Sequence, residues 1–149
     1  MQTLPIVPLR PGDVTLRQAD SLVGLPYRRR AFNCLHLAVH AQWVLFGRVV
    51  AGTVRAVPTR AAEQDRMLLE LRDELADRVD EPVVGDVALF EDLYEPGQWH
   101  IGTLFSDGCE PWMLHSREAV GRSVLERLRE TMTGRGLRLE GCYRWRAQA

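Results

Sequence analysis

Trp99-His100-Ile101-Gly102-Thr103-Leu104-Phe105-Ser106-Asp107-Gly108, followed by Trp112-Met113-Leu114-His115-Ser116, is the stretch that decides the fold. Two runs rich in aromatic and aliphatic residues flank Ser106-Asp107-Gly108, whose residue types favour a tight turn. The segment reads as a β-hairpin with one histidine on each strand. If both side chains point to the same face of the sheet, the two imidazoles can hydrogen-bond.

Upstream, Val83 to Phe90 is predicted as a further strand. Downstream, Leu137 to Arg146 is predicted as the last one, with Leu137, Leu139, Gly141, Tyr143 and Trp145 on one face. The first half has a different period. Asp13 is a candidate cap for a helix over Val14 to Val23, with Thr15 and Gln18 in capping-box spacing, and Gly24 and Pro26 end it. Asn33 is a favoured N-cap type, so Cys34 falls at the first position of a second helix that runs to about Phe46 and stops at Gly47. Leu37, Ala38, Ala41, Val44 and Leu45 recur on its expected core face. Arg60 to Val79 carries an amphipathic stripe of Ala61, Leu68, Leu71, Leu75 and Val79, and Ser123 to Thr133 repeats Leu125, Leu128 and Met132 at helical spacing. Helices first and antiparallel strands later indicate α+β, with N-terminal helices packed on an antiparallel sheet. The 149 residues fit one domain, 1–149, without an internal repeat or linker.

Composition narrows the function. The chain is 46% hydrophobic and 26% charged, which favours a folded domain over disorder, and its net charge of −1 does not suggest a nucleic-acid binder. Arg28-Arg29-Arg30 is the local basic exception and reads as a solvated loop. No run is long and apolar enough for a membrane span. Met1-Gln2-Thr3-Leu4-Pro5 lacks the charged start and apolar stretch of a signal peptide. The expectation is a chain made and kept in the cytoplasm unless another machine exports it. Cys34, Cys109 and Cys142 form no CxxC pair, so free thiols in a reducing compartment are expected. His36 and His40 stand four apart on one helix, without the HExxH pattern or a second ligand pair, so neither a metal nor a cofactor is expected.

Cys34 is the candidate nucleophile. A thiol at a helix start has its thiolate stabilised by the helix dipole, and the basic approach loop acts in the same direction. His100 is the candidate base, and His115 the group that holds it in one tautomer. Cys109, in a turn, and Cys142, on a core strand, lack this setting. His36 and His40 read as packing or polar surface.

The order Tyr27, Cys34, Gly85-Asp86-Val87-Ala88-Leu89-Phe90, His100-Ile101-Gly102 and Leu114-His115-Ser116 resembles the NlpC family of cell-wall cysteine peptidases. The likeness runs from about Leu16 to Val124. It implies a papain-like fold and a metal-free thiol hydrolase that cuts peptide bonds in peptidoglycan stems, with Cys34, His100 and His115 catalytic and Tyr27 at the same site. Asn33-Cys34-Leu35-His36 stands where the family has Asp-Cys-Ser-Gly, which marks Asn33 as a substrate-binding position with altered preference. The missing leader resembles phage or prophage tail-assembly members, so partners in a phage tail or another delivery machine are implied. Two other functions fit the same residues: an acyltransferase or amidase on another substrate, and a tail or scaffold protein that has lost activity.

Overall fold

The computed structural model describes residues 14–28, 32–50, 76–94 and 98–146. The order of elements is α1 (Leu16–Asp20), α2 (Cys34–Phe46), β1 (Ala76–Val79), β2 (Val87–Asp92), β3 (Trp99–Ser106), β4 (Pro111–Ser116), β5 (Ser123–Arg127), α3 (Leu128–Arg135) and β6 (Leu137–Trp145). The strands form one six-stranded sheet ordered β1-β6-β2-β3-β4-β5, and every pairing is antiparallel. The α+β class is thus the observed one.

The hairpin forms where the turn residues place it. Asp107 Oδ1 accepts the backbone N–H groups of Cys109 and Glu110, and Oδ2 accepts the Trp112 indole N–H at 2.9 Å. One carboxylate thereby closes the turn and pins the first aromatic residue of β4. Thr103 then faces Leu114, and Leu104 faces Met113. Val83–Asp86 is a turn rather than the start of a strand. Gly85 has φ +100°, the Asp86 N–H bonds the Val83 carbonyl, and the Val83 N–H bonds Asp86 Oδ2, so β2 begins only at Val87.

Of the two helices in the N-terminal half, α2 has the expected cap and α1 does not. Thr15, rather than Asp13, is the N-cap of α1, in a capping box with Gln18; Asp13 lies outside the described residues. Asn33 caps α2, and its Oδ1 accepts from the N–H groups of Leu35 and His36. Such a cap contributes about 1 kcal/mol. Gly47 closes α2 at φ 66°, a left-handed conformation that glycine adopts without a Cβ clash. Leu35, Ala38 and Val39 of α2 form one buried cluster with Val87, Leu89, Ile101 and Tyr143, while Leu37 and Ala41 join a second with Phe105 and Leu114. Each large apolar side chain buried this way contributes about 1.5–3 kcal/mol. Val44, expected in the core, is exposed.

Three sequence expectations give way to pairing between distant segments. Ala76–Val79, the end of the expected Arg60 to Val79 helix, is instead an edge strand on β6, with Ala76 opposite Trp145; residues 60–75 lie outside the described residues. Ser123–Arg127, the first half of the expected Ser123 to Thr133 helix, is strand β5, because its backbone completes the ladder along β4. The helix starts at Leu128 and ends at Gly136. In β6, Leu89 faces Gly141 but Phe90 faces Leu139, so Glu140 is an extra residue in a bulge. Leu137 and Leu139 therefore join the cluster of Phe90 and Cys142, and Tyr143 and Trp145 join that of Leu89, instead of sharing one face.

Candidate active site

The β2–β3–β4 pairing builds the site. Phe90 stands opposite His100, so the two share a face, with ring centroids 6.4 Å apart. Ile101, the next residue, turns the other way into the α2 cluster. His115 belongs to the adjacent strand β4, and the two imidazoles meet: His100 Nε2 lies 2.8 Å from His115 Nδ1, with the rings edge-on at 74°. Gly102, between them on the sheet, gives up its side-chain volume to Met113; a Cβ there would lie 2.3 Å from Met113 Cγ and Sδ.

Both histidines are buried, His100 at 6% and His115 at 1% exposure. Burial, then neighbouring His115 and Arg117, hold the His100 imidazole well below its usual 6.5. Burial likewise lowers His115, with the Glu126 carboxylate opposing the shift. Both rings are therefore neutral near pH 7, and a single proton bridges Nε2 and Nδ1. On the far side of His115, Nε2 is buried without a hydrogen-bond partner, and Glu126 Oε2 is 3.9 Å away.

Cys34 occupies the first position of α2 and is half-buried. It packs against the cluster that contains Leu35 and Ile101, as does Trp99. Cys34 thus packs on the Ile101 side of the sheet, whereas the His100 ring lies with Phe90 on the other side. Of the expected catalytic set, the structure joins His100 to His115 directly. The other two thiols differ in setting. Cys109 is exposed in the β3–β4 turn, and burial pushes the Cys142 thiol up to about 11. None of the three is in a disulfide.

Asn33 requires a correction. It was expected to contact substrate, but its side chain is fully buried and its Oδ1 is engaged by two helix N–H groups. It positions Cys34 instead. His36 completes that cap by accepting the Asn33 N–H on Nδ1, and the His40 ring packs edge-on against Phe32. Tyr27 is half-buried and tied to Gly121 through its backbone N–H. Arg28 pairs with Phe32 through the backbone, whereas Arg29 and Arg30 lie outside the described residues.

Sequence reasoning missed Glu126. It was assigned to a helix, and only the β4–β5 register, with Met113 opposite Glu126 and His115 opposite Val124, sets it beside His115. Among the described residues, no group of three or more His, Cys, Asp or Glu side chains is placed to hold a metal ion, and no helix is long and apolar enough to cross a membrane. Compared with known proteins, the chain matches no family model, no curated protein and no solved structure.

Proposed function

We propose that this protein is a papain-like, NlpC-type thiol hydrolase that cleaves amide bonds in peptidoglycan stem peptides. The observation that carries this reading is the buried His100–His115 pair at 2.8 Å; the reading assigns to it the thiol of Cys34 at the start of α2. A neutral imidazole held by a second imidazole is a base with one nitrogen committed to its orienter and the other available to a thiol.

In this mechanism the Cys34 sulfur attacks the carbonyl carbon of the scissile amide as its proton passes to His100 Nδ1. The resulting oxyanion takes a hydrogen bond from the Cys34 backbone N–H at the start of α2, where the helix dipole favours negative charge. Collapse breaks the C–N bond. His100 returns its proton to the departing amine, and an acyl-thioester remains on Cys34. Water, deprotonated by His100, then attacks the thioester and releases the carboxylate and the thiol. Because burial keeps His100 neutral, the resting state is a thiol beside an imidazole, and the ion pair forms as substrate binds. By the family resemblance, Tyr27 contributes on the substrate side. Synthesis in the cytoplasm and delivery to the envelope by a phage-like or secretion machine accord with this substrate.

The test is digestion of purified peptidoglycan, with released fragments identified by mass. New peptide ends are expected with the wild-type protein and none with Cys34→Ala or His100→Ala. Undiminished cleavage by Cys34→Ala, or no cleavage by the wild type, overturns the assignment.

A further inference from the structure

The His100–His115 pair does not end at His115. Glu126 stands diagonally across from it, on the same face of the β4–β5 ladder. Its Oε2 is 3.9 Å from His115 Nε2, the ring nitrogen that has no hydrogen-bond partner. The carboxylate is itself fixed from α3: Arg135 Nη2 lies 2.6 Å from Oε1, and Thr131 Oγ1 lies 3.2 Å from Oε2. His115 and Arg135 hold the Glu126 carboxyl down at about 2, against the opposing effect of burial, so it is ionised wherever the protein is folded and working.

An ionised carboxylate only accepts hydrogen bonds. A bare ring nitrogen turned towards it in a buried site sets lone pair against negative charge, whereas an N–H turned towards it is attracted. The carboxylate therefore selects the tautomer of His115 with the proton on Nε2. That leaves His115 Nδ1 as an acceptor. The 2.8 Å contact then requires the His100 proton to sit on Nε2, which leaves His100 Nδ1 bare.

We propose that Glu126 is a positioning residue for catalysis: by fixing the tautomer of His115 it fixes that of His100, so that Nδ1 is the ring nitrogen left basic. Arg135 and Thr131 serve it by holding the carboxylate in place. The inference deepens the hydrolase reading and rests on it for its catalytic consequence. The tautomer chain is a property of the folded protein alone.

The experiment reads the tautomers directly. Long-range proton–nitrogen NMR of protein labelled with nitrogen-15 at histidine, recorded above pH 7, reports which ring nitrogen carries hydrogen. Wild type is expected to show both His100 and His115 protonated on Nε2. Glu126→Gln, whose amide can donate to His115 Nε2, is expected to reverse both rings in part of the population, and Glu126→Asp to restore the original pattern. On stem peptides, Glu126→Gln is expected to lower kcat at least about tenfold with KM little changed, since the loss lies in the base and not in binding. A wild-type His100 protonated on Nδ1 overturns the proposal even if Glu126→Gln fails to fold. So does an unchanged tautomer pattern in a folded Glu126→Gln. If the tautomers follow the expectation but no peptide is cleaved, the hydrolase reading fails and the role of Glu126 in setting the rings stands.

Discussion

Asp86 and Arg144 form a two-point ion pair that ties the entry of β2 to the end of β6: Nε meets Oδ1 and Nη2 meets Oδ2, each at 3.0 Å. Asp86 is 2% exposed, and its Oδ2 also accepts the Val83 N–H, so the aspartate of the Gly85-Asp86 motif has a structural job. Removing the guanidinium leaves a buried carboxylate with half its partners. Arg144→Ala is expected to cost about 1–3 kcal/mol, below the full value for a buried pair because the arginine is itself partly exposed. Urea denaturation checks this. A loss within error of zero would mean that the turn alone satisfies Asp86.

Gly102 and Met113 are coupled through space. Alanine at 102 sets its Cβ against Met113 Cγ and Sδ, atoms near the root of that side chain, inside the core. Gly102→Ala is expected to destabilise the protein by about 1–3 kcal/mol. Met113→Ala in the same chain should recover part of that loss, although Met113→Ala alone opens a cavity. A double-mutant cycle measures the coupling, and strict additivity would rule out the clash.

Acid should weaken the fold in a defined window. His100 and His115 are lowered by burial in the folded protein, and the half-buried His36 is lowered as well, so the unfolded chain binds protons first as pH falls. Their contribution is complete above the unfolded value of about 6.5 and is lost as pH drops through it towards the folded values. Glu126 acts lower down: its contribution is present above its ordinary value of 4.5 and disappears as pH falls through its folded value of about 2. Unfolding free energies from urea titrations between pH 8 and 5 are expected to decline with a slope of up to about three protons, at most one for each histidine. A flat profile over that range would contradict the burial of neutral histidines.

The three thiols should separate by reactivity. Cys142 is 5% exposed with its thiol pushed up to about 11, so it should resist alkylation in the folded state. Cys109 is the more exposed thiol, but Cys34 stands at the start of α2, where a thiolate is stabilised. Iodoacetamide near neutral pH, followed by peptide mapping, is expected to label Cys34 fastest. Faster labelling of Cys109 would show that exposure outweighs the helix start and would count against Cys34 as the nucleophile.

By itself, the sequence determined what depends on a few neighbouring residues. Thr15 with Gln18, Asn33 with His36, the glycine at 47 and the turn around Asp107 are short-range hydrogen-bond and backbone devices, and each stands where its residue types place it. Because the hairpin follows from that turn, the approach of His100 to His115 was legible as well. Tertiary structure alone decided the rest. Ala76–Val79 and Ser123–Arg127 carry helical periodicity yet are strands, because each lies along a free sheet edge whose backbone groups it satisfies. The bulge at Glu140 reverses the faces of β6 by responding to β2, a partner some fifty residues away. Asn33 was legible as a cap, but its burial depends on how α2 seats on the sheet. Glu126 came to the histidines through the register of β4 on β5, and pairing of that kind leaves no mark in the local pattern, since it is fixed by which backbone finds which.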